Sequence, residues 1–321
     1  MTDPSPPSAP APEAARGPEG APQTRSMAGI AIVALVLVPI FWGYNWVVMK
    51  RAMAFMGAFE FATWRFVPSS LILLGAMVVT RRPLWIRPMW PVIVGGILQT
   101  AANTALLLWA LRFGPAGRSA LLCYTMPFWV LAFAWPLLGE RPSRAQAIAV
   151  VAAAVGMALV FAAGMGSVRN LASVALAVIS GLCWGAGTVI AKWLLARKRV
   201  DSLSLAAWQM FFGGIAVWAI ALLVPGRPTQ WTPYLVFALI WEILPATALA
   251  WILWVALLRR IDAGVASLAI LAAPVIGLVG GFVELGERPK GMEAAGLVLI
   301  LVALVLVGPL AVRQARRAPG S

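Results

Sequence analysis

Eight stretches of this chain run for 19 residues or more without one charged side chain: Met27–Met49, Pro88–Leu111, Ser119–Gly139, Ala145–Val168, Asn170–Ala191, Ser202–Gly226, Ala263–Val283 and Ala294–Val312. Each meets the ~18 residues that a helix needs to cross hydrocarbon. Two further spans, roughly 58–80 and 231–257, hold Arg65 and Glu242 in their interiors. Ten spanning helices are expected, joined by connections too short to hold a soluble domain. The fold class that follows is all-α, a polytopic membrane protein. Composition agrees, with 62% apolar residues, 11% charged residues and a mean hydropathy of +0.89. A soluble chain of this length could not cover its surface with so few charges.

The net charge of +14 invites a nucleic-acid reading, which its placement rejects. With the N-terminus in the cytoplasm, fifteen Lys and Arg residues fall in cytoplasmic segments, among them Arg81, Arg82, Arg197, Arg259 and Arg313, against eight outside. That bias is the one positive-inside insertion selects, so both termini are expected to be cytoplasmic in a bacterial inner membrane. Anionic lipid is the natural counter-charge. Residues 1–26 hold seven prolines and no apolar run, and read as a disordered tail rather than a cleavable signal. Residues 313–321 read as a second cytoplasmic tail. Cys123 and Cys183 both lie inside spans, so no disulfide framework is expected.

The pentapeptide "LGERP" occurs at Leu138–Pro142 and again 147 residues later at Leu285–Pro289. At that offset, Leu111–Pro142 and Leu258–Pro289 align without a gap, and twelve of the 32 positions are identical. "WGYNWVVMK" (Trp42–Lys50) answers "WGAGTVIAK" (Trp184–Lys192), and Trp64 answers Trp208. Apolar composition produces chance Leu and Ala matches, but not paired Gly, Pro, Glu, Arg and Trp. A duplicated five-helix unit is expected, over 27–165 and 166–312. Because five is odd, the second copy enters the bilayer upside down, the inverted-repeat plan of secondary transporters. Each LGERP is expected to be a hairpin connector, with Gly139 and Gly286 ending one helix at positive φ and Pro142 and Pro289 in the first turn of the next.

The segments "FWGYNWVVMKRA", "WRF" (Trp64–Phe66) and the run from Ala110 through LGERP to Val160 resemble the EamA domain of the drug/metabolite transporter superfamily, and the second half repeats the pattern. The resemblance covers about 28–312 and in layout is similar to bacterial aromatic amino-acid exporters. It implies a ten-helix, two-repeat permease exporting small metabolites, with helices 1, 3, 4, 6, 8 and 9 around the cavity and 5 and 10 outside it. One departure stands out: "WRF" becomes "WQM" at Trp208–Met210.

Polar side chains at membrane depth default to functional hypotheses. Gln99 and Asn103 share one face of helix 3, as a cavity wall or as hydrogen-bonding glue between helices. Trp42, Trp46 and Lys50 share a face of helix 1, and Trp184, Thr188 and Lys192 a face of helix 6. The tryptophans are read as pocket and the lysines as snorkelling anchors. Tyr44, Asn45, Trp46, Gln99, Asn103, Tyr124, Trp184, Thr188 and Trp251 are the candidate substrate-binding residues. Pro127 and Pro274 sit at matched mid-span positions, free the carbonyls of Cys123 and Ile270, and are candidate hinges. Glu242 is the carboxylate nearest the middle of a span. Desolvation penalises its charged form, so it carries a coupling proton, binds a substrate amine, pairs with Arg65 or reaches an aqueous vestibule. Gly181-x-x-x-Gly185 and Gly277-x-x-x-Gly281 are read as packing.

The expected function is secondary transport exporting small amphipathic metabolites, amino acids foremost, without cofactor or metal. The expected partners are a small-molecule substrate and membrane lipid, with proton coupling and passive transport both open; nucleic acid is not one, and the protein is a monomer or a homodimer. A permease for another metabolite or drug class is the alternative, as is a non-transporting assembly or sensor component. An intramembrane enzyme fares badly, since the chain has no histidine and Asp3, Asp201 and Asp262 lie outside the spans. It also lacks a nucleotide-binding P-loop.

Overall fold

The computed structural model describes residues 21–113, 122–162, 168–197, 200–285 and 291–317. Among them all regular structure is helical: α1 (Ala21–Ala52), α2 (Ala58–Val79), α3 (Trp90–Gly96), α4 (Asn103–Phe113), α5 (Met126–Leu138), α6 (Arg144–Ala162), α7 (Val168–Ala196), α8 (Ser202–Leu223), α9 (Pro233–Ile243), α10 (Ala250–Arg260), α11 (Ala263–Ala269), α12 (Ala272–Leu285) and α13 (Met292–Arg317). A π-helical turn, Ile97–Ala102, joins α3 to α4, and another, Leu244–Leu249, joins α9 to α10. The two turns are 147 residues apart.

Among the described residues seven helices are long and apolar enough to cross a membrane, and three shorter apolar ones (Met126–Leu138, Arg144–Leu159 and Ala263–Gly277) accompany them. The expected tails begin where charge begins, but a helix satisfies its own backbone and has no reason to stop at the edge of hydrocarbon. Accordingly α1 starts at Ala21, ahead of the expected 27, and α13 runs to Arg317, past 312. The remaining tail residues, 1–20 and 318–321, lie outside the described residues. Apolar side chains face outward in number, Val79 and Leu223 being 83% and 82% exposed, a surface that only lipid or another protein would cover.

The first LGERP is a hairpin connector. Gly139 has φ 75°, and the amides of Gly139 and Glu140 reach back to the carbonyls of Trp135 and Ala134. Pro142 falls just before the next helix rather than in its first turn. Ser143 is the cap instead: its amide donates to Gln146 Oε1 at 2.8 Å and its Oγ accepts from the Gln146 amide at 3.3 Å, a reciprocal capping box. The second copy, from Gly286 to Pro289, lies outside the described residues.

Both central prolines follow a break. Residues Tyr124–Thr125 form a turn before α5, and Ile270–Leu271 a turn before α12, so Pro127 and Pro274 sit in a first helical turn that needs no amide donor there. The freed Cys123 carbonyl lies against Gly181, where a Cβ would come within 2.7 Å. Two packing contacts recur at the repeat offset. Gly43 of α1 rides over the Ala273 carbonyl of α12, where a Cβ would come within 2.6 Å, and Gly185 of α7 rides over the Met126 carbonyl of α5 at 3.2 Å. Elsewhere in the bundle α6 packs on α13, with Gly156 against the Gly296 carbonyl.

Candidate substrate cavity

A cavity of about 110 Å³ lies mid-bundle, walled by Trp42, Asn45, Trp46 and Met49 of α1, Arg65 and Phe66 of α2, Gln99, Asn103, Thr104, Leu107 and Leu108 around the first π turn, Cys123, Tyr124 and Met126 at the α5 break, Trp184 of α7 and Trp251 of α10. Trp42, Trp184, Trp251 and Trp254 pack ring to ring, with centroids 5.0–5.9 Å apart. The Trp42 indole N–H donates to the Ala246 carbonyl at 3.0 Å, inside the second π turn. Such widened turns leave carbonyls off the helical ladder and recur at functional sites. The Trp46 indole N–H donates to the Tyr124 hydroxyl at 2.9 Å. A larger groove, about 860 Å³, runs between α2 and α8 and shares Leu108 with the cavity. Its walls include the outward-facing Trp64, Trp218 and Leu222, so it opens on the outer surface of the bundle.

Seven of the nine substrate-binding candidates line the cavity: Asn45, Trp46, Gln99, Asn103, Tyr124, Trp184 and Trp251. The other two do not. Tyr44 points to the opposite side of α1, edge-on to Trp241 at 5.3 Å. Thr188 is fully buried behind Gln99, whose Nε2 donates to its hydroxyl at 3.0 Å. Asn103 Nδ2 donates to the Ser180 carbonyl at 3.0 Å. The two amides thus tie the first π turn to α7 as well as facing the cavity. Gln99→Ala is expected to cost about 1 kcal/mol, the worth of one interhelical hydrogen bond, read as a lower unfolding midpoint in detergent. An unchanged midpoint would assign the amide to ligand alone.

Pairing of Glu242 with Arg65, one of the alternatives read from sequence, is what the geometry displays. Arg65 Nε donates to Thr247 Oγ1 at 2.9 Å and lies 3.1 Å from Glu242 Oε2. Glu242 is fully buried behind Arg65 and does not itself line the cavity. The matched place in the other half is neutral. Gln209 answers Arg65, Gly95 answers Glu242 and Thr100 answers Thr247; the Gln209 amide nitrogen abuts Gly95 and occupies the space that a side chain there would take.

Below the cavity, Trp254, Leu257, Leu258 and Ile261 are all buried and close the bundle. Lys192 completes this seal and is not a snorkelling anchor. Its Nζ donates to the Leu258 and Ile261 carbonyls at 2.7 Å each and lies 3.9 Å from Glu140 Oε1, because the unpaired carbonyls ending α10 offer a cation better partners than headgroups do. Glu140, of the first LGERP, also accepts from the Ala263 amide that begins α11, at 2.8 Å. Burial pushes the Glu140 carboxyl above its ordinary value, with Lys192 acting in the opposite sense. At the far end Arg51 pairs with Glu284 at 3.0 Å.

The sequence profile of the EamA-like transporter family matches residues 29–162 and again residues 171–308. This chain belongs to the EamA-like transporter family. Among relatives of this EamA-like transporter, a probable amino-acid metabolite efflux pump of Salmonella typhimurium is 28% identical over 89% of this chain and 97% of its own length. The Escherichia coli protein of the same description is 25% identical over 85% and 93%. YvbV of Bacillus subtilis, an uncharacterized transporter, is 28% identical over 85% and 90%. A crystal structure at 20% identity superposes with a TM-score of 0.72 over 90% of this chain and 98% of its own, which speaks for the fold. The family and these relatives are transporters rather than enzymes. This EamA-like transporter is a multi-pass membrane protein whose central cavity draws walls from both matched segments.

Proposed function

We propose that this EamA-like transporter exports small amphipathic metabolites, amino acids foremost, by alternating access around the central cavity. Ten spanning segments form two five-helix units, over 27–165 and 166–312, inserted in opposite senses, with both termini in the cytoplasm of a bacterial inner membrane. On that orientation the seal at Lys192 and Glu140 is the cytoplasmic gate. The observation that carries the reading is a mid-bundle cavity walled jointly by α1, α2, α4 and α5 of the first matched segment and α7 and α10 of the second. Its lining suits an amphipathic guest, with indole rings for an apolar body and amides and a guanidinium for a polar head. Pro127 and Pro274, at breaks packed against glycines, are the hinges. The amino-acid assignment borrows from relatives described as amino-acid metabolite efflux pumps.

Purified protein in proteoliposomes is expected to exchange radiolabelled amino acids saturably, with counterflow. No amino acid moving faster than in protein-free vesicles would overturn the reading. Glu242 is the proposed carrier of the coupling proton, being a carboxylate buried in mid-span. Glu242→Gln is expected to leave flux under equal pH on both sides and to abolish its acceleration by a pH gradient. Acceleration that persists removes Glu242 from that role.

A further inference from the structure

Arg65 is the charged residue of the cavity wall among the described residues, and its ion pair is under-built. A single N–H, on Nε, is shared between the Thr247 hydroxyl and Glu242. Neither carboxylate oxygen of Glu242 receives a well-aligned hydrogen bond from a described residue, the Asn45 side chain lying against the carboxylate as its second polar partner. Buried ion pairs recover their desolvation cost only where geometry is good and further hydrogen bonds complete both partners. This one rests on a single shared N–H and one poorly aligned amide, while the Arg65 side chain keeps 17% exposure toward the cavity and Glu242 keeps none. Beside them Asn45 Oδ1, also on the cavity wall and 5% exposed, has no donor.

Packing does not explain the pair. In the other half the same junction, a WxΦ segment of one helix against the residues before a π turn, is made by Gln209 against Gly95 with no charge at all. The fold therefore accommodates a neutral version of this contact, and the cation is present on one side only, where the cavity is. We infer that Arg65 is the anion-binding residue of the cavity, so that the transported species carries a carboxylate, taken by the guanidinium in place of Glu242. A guanidinium fork matches a carboxylate in shape and charge. The ring or branched apolar body lies on Trp42, Trp46, Trp184 and Trp251, and an amino group, where the ligand has one, donates to Asn45 Oδ1. The class is monocarboxylic acids with an aromatic or branched body, amino acids included, and it excludes amines that lack the acid. The inference rests on the transport reading above.

Binding in detergent tests it without requiring transport. Phenylalanine, 3-phenylpropionate and phenethylamine share one body, and calorimetric titration of each against purified protein is expected to give binding for the two acids and none for the amine. Arg65→Gln copies the neutral half and is expected to weaken both acids at least about tenfold, the worth of a charged hydrogen bond. Because Arg65→Gln alone strands Glu242, the double variant Arg65→Gln with Glu242→Gln is the folding control, expected to melt near the wild type and still not bind. Binding of phenethylamine as tight as that of phenylalanine overturns the inference, as does acid binding unchanged in the double variant, or no binding of either acid to wild-type protein. Acids that bind but do not cross in proteoliposomes overturn the transport reading and leave Arg65 as the anion site.

Discussion

Gly96→Ala is expected to destabilise the protein by about 3 kcal/mol, at the upper end for an overpacked site. A methyl there overlaps the Gln209 carbonyl oxygen and meets the Gln209 carbonyl carbon and Cα at 2.9 Å. All three are backbone atoms, so no side chain can swing aside, and α3 must part from α8. Gly213 of α8 faces back onto Thr100 in the same crossing, so the two helices interlock. The control is Gly75→Ala in α2, where a Cβ meets nothing within 4 Å. Alanine is the better helix former by roughly 1 kcal/mol, so that variant should melt at or above the wild-type temperature. Equal shifts for both substitutions would refute the close approach.

Lys192→Met is expected to cost about 2 kcal/mol in this closed arrangement, through lost charged hydrogen bonds to the Leu258 and Ile261 carbonyls. It should also expose the cavity from the Glu140 end. In a Cys183→Ser background, an impermeant maleimide applied from that side should label Cys123, on the cavity wall, several-fold faster in the variant. An unchanged labelling rate would make Lys192 a cap without a gate. The pH dependence has a definite sign. The Glu140 carboxyl is raised by burial, so the closed end holds its proton more firmly than an exposed carboxylate does. Its contribution is full below the ordinary carboxylate value and is lost as pH rises through the raised one. Lys192→Met removes the opposing charge and should extend that window upward, and Glu140→Gln should erase it.

Much of the architecture was legible in the sequence because hydrocarbon is a demanding solvent. Stretches with no charge have one reading at the level of a helix, and the glycine of the first LGERP ends a helix as its residue type requires. What escaped depends on depth and on distant contacts. A 3.6-residue face lines up Trp184, Thr188 and Lys192, but only the packed bundle decides that the first lines the cavity, the second anchors Gln99 and the third seals an end. Tyr44 lies two positions from Trp46, about 200° around a helix, so its departure from the cavity was readable from spacing. The π turns were not, for they are shifts of hydrogen-bond register that no residue type announces. "WRF" against "WQM" was visible, yet that Gln209 faces Gly95 where Arg65 faces Glu242 requires the fold.

The indoles of Trp42, Trp184, Trp251 and Trp254 are near enough to one another for their electronic transitions to mix. Such mixing gives paired bands of opposite sign in far-ultraviolet circular dichroism, whose size follows the mutual tilt of the rings. Three of those rings sit on the cavity wall, so an occupant that turns any of them rewrites the spectrum. The protein therefore carries its own optical gauge of occupancy, usable in a cuvette with neither dye nor isotope.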